Sequence, residues 1–151
     1  MFDMQVGYGE EIITPSLGTE LTGYGYYLER KAEEVADDLK VRAVYIRRER
    51  EVVILISCDL LSLSLEFADN MRRELSIRHN LPICNILLAC THTHAGPAAH
   101  DLPGLGEVDQ AYPARVGQAI IKASETAQKD CRPAEMSYSS ETVTPIGYNR
   151  K

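Results

Sequence analysis

The sequence predicts an α/β domain whose mixed sheet contains one βαβ unit and is flanked by helices. Two β-branched runs, residues 41–47 and 51–57, are separated by the short charged segment Arg48-Glu49-Arg50, which indicates an antiparallel hairpin. An amphipathic helix over residues 65–78 and a further apolar strand over residues 83–89 come next. A strand, a helix and a strand in this order predict a right-handed crossover with the two strands parallel.

The N-terminal residues add one strand and a long connection. Residues 4–9 alternate weakly and predict a strand, whereas residues 15–27 are rich in Gly, Thr and Tyr, as loops are. Gly23 and Gly25 either form a plain turn or let the backbone approach a ligand or another segment closely. Residues 28–38 are charged and fit a short helix or an ordered loop.

The C-terminal part predicts a second helix and a last strand. A Gly/Pro loop over residues 101–107 leads to a helix that is capped by Asp109 or Tyr112 and has Pro113 in its first turn. Six residues at helical spacing form the apolar stripe of this helix: Tyr112, Val116, Ala119, Ile120, Ala123 and Ala127. Residues 135–143 alternate and predict the final strand.

Length and charge narrow the functional classes. With 151 residues, the chain fits one domain over residues 1–151 that can bury a core. The net charge of −6 argues against a nucleic-acid surface, which needs clustered Lys and Arg. The chain shows neither a secretory signal nor an apolar run that could span a bilayer. We therefore expect a cytoplasmic protein without a transmembrane segment.

The four cysteines are expected to be free and mostly buried thiols. Cys58, Cys84, Cys90 and Cys131 have no spacing typical of a zinc knuckle, and a reducing cytoplasm disfavours disulfides. A nucleophilic Cys90 next to His92 is a further alternative.

The segment Thr91-His92-Thr93-His94-Ala95-Gly96-Pro97 directly follows the apolar run of residues 85–90 and predicts a metal site. In extended backbone, residues i and i+2 point to the same side, so both imidazoles can meet at one point. Imidazole is a good zinc ligand, and a catalytic zinc leaves one position open for water. The alternative is a pair of hydrogen-bonded structural histidines. His100 and Asp101 follow at the wrong spacing for a binuclear hydrolase.

An acidic residue, Asp59, ends the preceding predicted strand and should lie at the same sheet edge as His92. Ligands of parallel sheets bind at the carboxyl ends of the strands. Asp59 is therefore either a cap for the next element or a member of a polar site.

These residues resemble the N-terminal part of the neutral/alkaline, non-lysosomal ceramidase family. The resemblance runs nearly end to end, and its most specific piece is the Thr-His-Thr-His-x-Gly-Pro block. The closing Gly147-Tyr148-Asn149-Arg150 is similar to the Asn-Arg element of that family. The other segments are Val6-Gly7-Tyr8-Gly9, Thr22-Gly23-Tyr24, Leu39-Lys40-Val41-Arg42-Ala43 and Ser57-Cys58-Asp59-Leu60.

The resemblance implies a zinc-dependent amidase that hydrolyses an N-acyl sphingoid base in sphingolipid metabolism. It implies that His92 binds the Zn²⁺ ion and that His94 contacts substrate or the attacking water. It further implies that Arg150 belongs to the substrate site. The remaining metal ligands of the family lie beyond the end of this chain.

We therefore expect an incomplete, N-terminal portion of a larger catalytic domain, inactive alone. Its expected partners are an N-acyl amine or sphingolipid substrate, and the missing C-terminal part of the domain or a second copy of the chain. Two other classes stay open: a metal-dependent hydrolase of a small soluble substrate, and a truncated non-catalytic module.

Overall fold

The sheet of the protein has five strands in the order β4-β3-β2-β1-β5 among the residues that the computed structural model describes, which are 4–25, 29–104 and 106–143. The strands are β1 (Met4–Ile12), β2 (Lys40–Arg48), β3 (Glu51–Cys58), β4 (Ile86–Cys90) and β5 (Arg132–Pro133). The helices are α1 (Leu65–His79) and α2 (Tyr112–Lys129), and a short 3₁₀ turn (Ile83–Asn85) precedes β4. Neither helix is both long and apolar enough to cross a membrane.

The predicted fold class is confirmed. Strands β1, β2 and β3 pair antiparallel in succession, and β3 pairs parallel with β4 through the α1 crossover. Ser64 begins α1 by accepting a hydrogen bond from Phe67 N at 3.1 Å, and Asn80 ends it in the left-handed conformation. The sheet is mixed because a hairpin joins β2 to β3, whereas a helical crossover joins β3 to β4.

One expectation about the connecting segments needs correction, and the choice between two alternatives is resolved for another. The strand expected over residues 83–89 begins later, because residues 83–85 form a 3₁₀ turn, and it extends to Cys90. The segment over residues 29–38 is an ordered loop and not a helix, and Lys31 forms a β-bridge with Glu20. Leu28 lies outside the described residues.

The final strand expected over residues 135–143 is wrong. Strand β5 contains only Arg132 and Pro133, which pair antiparallel with Val6 and Gln5. Ala134 N then donates to Met4 O at 3.0 Å, where β1 begins. The chain therefore runs past the start of its partner strand, and the alternating residues beyond are exposed. Alternation cannot produce a strand without a neighbour to receive its hydrogen bonds.

Helix α2 lies directly on one face of the sheet. A Cβ added at Gly7 would lie 1.9 Å from Ala127 O, and one at Gly9 would lie 2.2 Å from Ala123 O. Only glycine permits this close approach of helix and strand backbones. The predicted apolar stripe of α2 is confirmed, since all six of its residues are buried: Tyr112, Val116, Ala119, Ile120, Ala123 and Ala127.

The opposite face of the sheet carries an apolar row that is only partly buried. The strand register places Tyr8, Val44, Leu55 and Leu87 side by side in one row across four strands. Tyr8, Leu55 and Leu87 are exposed, at 43%, 37% and 57% of their surface.

Candidate functional site

The histidine loop begins where β3 and β4 end side by side. Cys58 pairs with Cys90 as the last residues of the two strands. Beyond this pair, Thr91 N donates to Cys58 O at 3.0 Å and His92 N donates to Leu60 O at 3.0 Å. The loop that carries the histidines is therefore held against the segment that leaves β3.

The two imidazoles lie together, although the local geometry differs from the predicted one. Their ring centroids are 5.1 Å apart, with 65° between the ring planes. His92 has φ 62°, a left-handed conformation, so this segment is not extended. A left-handed non-glycine residue costs roughly 1–2 kcal/mol and is often found at functional sites. The rings meet because the backbone bends at His92, not because residues i and i+2 share a strand face.

Hydrogen bonding determines which nitrogen of His92 is available. Nδ1 lies 3.0 Å from Leu61 O, and a carbonyl oxygen can only accept, so Nδ1 carries the proton. The lone pair of the neutral ring is then on Nε2. A metal-binding histidine is typically oriented in this way, by its other ring nitrogen donating to a carbonyl or carboxylate oxygen.

A third segment packs against the histidine loop. Thr22 N donates to Gly96 O at 2.9 Å, and Leu21 forms a β-bridge with Pro97. A Cβ added at Gly23 would lie 2.7 Å from His94 Cγ. The sequence left open whether the glycines of this loop form a plain turn or let the backbone approach another segment closely. Gly23 fits the close approach.

Tyr24 and Arg30 also contact the histidine loop, and the sequence assigned neither of them a role. The Tyr24 ring stands edge-on to the His94 ring, with 5.3 Å between centroids and 86° between planes. Arg30 Nη2 donates to His94 O at 2.7 Å and to Thr22 O at 3.0 Å. Tyr24 belongs to the Thr22-Gly23-Tyr24 segment of the resemblance, which assigned it no role, and Arg30 lies in none of the segments that carry the resemblance.

Asp59 lies at the predicted sheet edge, but its carboxylate is engaged elsewhere. Asp59 Oδ2 accepts hydrogen bonds from Arg42 Nη1 at 2.7 Å and from Lys40 N at 3.0 Å. The bond to Asp59 raises the pKa of the Arg42 guanidinium. Asp59 caps no helix, because Ser64 is the N-cap of α1. Its carboxylate thus joins the start of β2 to the end of β3.

Two other side chains near the histidine loop are those of Cys90 and His100. Partial burial raises the pKa of the Cys90 thiol, which disfavours the reactive thiolate and so the alternative of a cysteine nucleophile. All four cysteines are free, as expected, but only Cys58 is buried. His100 Nε2 lies 2.9 Å from Ser62 Oγ.

An apolar groove runs along the other side of the histidine loop. Its lining includes Thr93 and Ala95, which alternate along the chain with the two histidines. The rest of its lining comes from the connection between β1 and β2. Six of these residues are apolar (Pro15, Leu21, Ala32, Val35, Ala36 and Leu39) and three are polar (Thr14, Glu34 and Asp37). The site thus combines a polar imidazole pair with an adjacent apolar surface.

The described residues supply only an incomplete set of metal ligands. Among these residues, no three His, Cys, Asp or Glu side chains come together in a way that could hold a metal ion. His92 fits a ligand role by its free Nε2, and His94 lies beside it. Arg150, the third predicted site residue, lies outside the described residues.

Comparison with known proteins agrees with this fold. The family described as neutral/alkaline non-lysosomal ceramidase, N-terminal, matches residues 4–151. The neutral ceramidase of Pseudomonas aeruginosa superposes with a TM-score of 0.71 at 22% sequence identity. The match covers 88% of this chain and 22% of the ceramidase chain. A ceramidase complexed with C2 superposes at 0.70 with 23% identity and the same coverage. No curated protein matches the sequence significantly. The chain thus spans about a fifth of the length of these solved structures.

Proposed function

Because the chain belongs to the neutral/alkaline non-lysosomal ceramidase family, we propose that it supplies part of the active site of an amide hydrolase acting on N-acyl sphingoid bases. The observation that carries the proposal is the imidazole pair at the carboxyl end of a parallel strand, with the Nε2 lone pair of His92 available. The apolar groove next to the pair supports a substrate with an aliphatic chain over a small soluble one.

In this proposal, His92 is a zinc ligand. The bond from Nδ1 to Leu61 O fixes the tautomer and the ring plane, so that Nε2 is the coordinating atom. A bound Zn²⁺ ion would supply a water of lowered pKa and polarise the amide carbonyl. The described residues offer one histidine for this role and a second beside it, so further ligands must come from elsewhere. We accordingly propose that the 151 residues by themselves hydrolyse little or no amide.

His94 and Arg150 are proposed to act on the water and the substrate. The His94 ring is half-buried and lies 5.1 Å from that of His92, close enough to orient the attacking water or to give a proton to the leaving amine. Arg150 is proposed to bind a hydroxyl or anionic group near the scissile bond, as the family resemblance implies.

Substitution of the histidines tests this proposal in the natural protein that contains this chain. We expect His92→Ala to abolish both bound zinc and turnover, because an alanine cannot replace a metal ligand. We expect His94→Ala to keep most of the zinc and to lose roughly 10–100-fold in rate, since its role is beside the metal. Metal content by elemental analysis and hydrolysis of short and long N-acyl amines provide the measurements.

His100→Ala is the matched control, because His100 lies in the same connection but its Nε2 contacts Ser62. It should leave zinc content and rate near those of the unaltered protein. Stoichiometric zinc together with normal turnover in His92→Ala would refute the site. Zinc binding without hydrolysis of any N-acyl sphingoid base would refute the substrate and leave the metal site.

A further inference from the structure

Arg30 is the residue outside the predicted motif that makes the most specific contacts with the histidine loop. Three segments lie side by side here, since Leu21 N donates to Arg30 O at 2.7 Å and Thr22 N donates to Gly96 O at 2.9 Å. The side chain of Arg30 crosses the middle segment and reaches the third one, where Nη2 donates to His94 O at 2.7 Å. On the way, the same Nη2 donates to Thr22 O at 3.0 Å. One guanidinium nitrogen therefore ties together two segments that are not adjacent in sequence.

The same guanidinium also holds the aromatic neighbour of His94. Arg30 Cζ lies 4.7 Å from the centroid of the Tyr24 ring, which is a cation–π contact. Tyr24 in turn stands edge-on to His94 at 5.3 Å, and His94 lies 5.1 Å from His92. Arg30 thus contacts both the backbone of His94 and the side chain that borders its ring.

There is little free space in this arrangement. A Cβ on Gly23 would lie within 3 Å of three His94 atoms, so the segment between Thr22 and Tyr24 is pressed against His94. A displacement of this segment would move Tyr24 and leave the His94 ring free to change its rotamer. The contacts of Arg30 oppose that displacement.

Stability alone does not account for an arginine at this position. Arg30 Nε is buried and has no hydrogen-bond partner in the described part of the chain, and an unsatisfied buried donor costs roughly 1–3 kcal/mol. No carboxylate among the described residues forms an ion pair with Arg30. An apolar side chain would avoid both the unsatisfied donor and the charge without an ion pair. It could not hold Thr22, Tyr24 and His94 in one arrangement.

We propose that Arg30 is a positioning residue that sets the orientation of the His94 imidazole through Tyr24 and the backbone of residues 22 and 94. The inference rests on the proposed function only for its effect on rate. The orientation of His94 can be measured without any turnover.

NMR spectroscopy of the 151-residue chain tests the geometry directly. The edge-on Tyr24 ring shifts the His94 carbon-bound ring protons through its ring current, and Tyr24→Ala defines the shift without it. We expect Arg30→Ala to move the His94 ring resonances most of the way to their Tyr24→Ala positions. Arg30→Lys should give an intermediate shift, because it keeps a cation near Tyr24 but only as a point charge on a shorter chain.

Arg50→Ala is the control, since Arg50 is exposed in the β2–β3 turn and the change in charge is the same. If Arg30→Ala does not fold, Arg30→Gln replaces it, with the same expectation. A folded Arg30→Ala or Arg30→Gln whose His94 resonances match those of Arg50→Ala would overturn the proposal.

The effect on rate separates this inference from the proposed function. In the natural protein that contains the chain, Arg30→Ala should lower kcat roughly 10–100-fold with little change in KM, and Arg30→Lys should recover part of the loss. An unchanged kcat despite shifted His94 resonances would overturn the link between orientation and rate. If no variant, including the unaltered protein, hydrolyses an N-acyl amine, the proposed function fails while the resonances still decide the role of Arg30.

Discussion

At the scale of single residues, the histidine at the end of α1 has a structural environment unlike that of the histidine loop. His79 is 7% exposed, and its Nε2 lies 2.9 Å from Ser124 Oγ while its Nδ1 lies 3.1 Å from Gln128 Oε1. These contacts join α1 to α2. Burial lowers the pKa of His79, against smaller opposing effects of Gln128 and Glu125.

The lowered pKa of His79 predicts acid-sensitive stability. The unfolded chain, in which histidine has a pKa of about 6.5, binds more protons than the folded one as the pH falls below that value. The free energy of unfolding contributed by neutral His79 is therefore fully present above about pH 7 and is lost as the pH falls toward the folded pKa. His79→Gln should flatten this pH dependence. At pH 8 it should lower the free energy of unfolding by about 1 kcal/mol, because the glutamine amide makes hydrogen bonds of poorer geometry than the imidazole.

Urea unfolding at pH 8, 6.5 and 5 measures this effect. His100→Gln serves as the control and should keep the slope of the unaltered chain, because His100 is only partly buried and does not join the helices. An equal slope in His79→Gln and in the unaltered chain would contradict the assignment to His79.

At the scale of elements, the contact between α2 and β1 depends on two glycines in a strand. Gly7 and Gly9 face the helix, and the carbonyl oxygens of Ala127 and Ala123 occupy the space where their side chains would be. Glycine weakens a strand, so its presence here reflects close packing of backbones.

Gly9→Ala is expected to destabilise the protein by about 3 kcal/mol or more. The added methyl group would lie 2.2 Å from Ala123 O, and relief requires the helix to move away from the strand. Gly18→Ala is the matched control: it has open space but φ 85°, so it should cost only about 1–2 kcal/mol from backbone strain. Chemical denaturation of both variants provides the comparison, and a Gly9→Ala loss no larger than that of Gly18→Ala would be inconsistent with the contact.

At the scale of the whole molecule, an exposed apolar row crosses the sheet face opposite α2 in the part of the chain that the structure describes. The row formed by Tyr8, Val44, Leu55 and Leu87 is continuous across the strands, and β4 is an edge strand. Contiguous exposed apolar surface and a free strand edge both favour association with another surface.

The isolated 151-residue chain is therefore expected to self-associate through this face. Leu55 and Leu87 are cross-strand partners, so Leu55→Lys with Leu87→Lys places two adjacent positive charges in its centre. This variant should sediment as a monomer at concentrations where the unaltered chain forms dimers or larger species. Ile77→Lys is the control, because Ile77 is 78% exposed on α1, away from that face. A monomeric unaltered chain, or an equal effect of Ile77→Lys, would exclude this face as the interface.

Much of the fold and part of the site could be predicted from local sequence pattern. The hairpin, α1, α2 and the parallel crossover follow from periods of 2 and 3.6 residues, and both are properties of consecutive residues. Strand ends in a parallel sheet meet at one edge, so the position of His92 and His94 followed from the element order. The residue roles of His92, His94 and Arg150 remain predictions.

Only the tertiary structure decided how the histidine loop is built. Arg30 and His94 are 64 positions apart, and their contact joins two loops that have no periodicity to record it. The left-handed backbone of His92, the engagement of Asp59 by Arg42 and the end of β5 at the start of β1 likewise depend on which segments lie side by side. Local propensity determines which elements form, whereas hydrogen bonds and steric exclusion between distant segments determine where a side chain points.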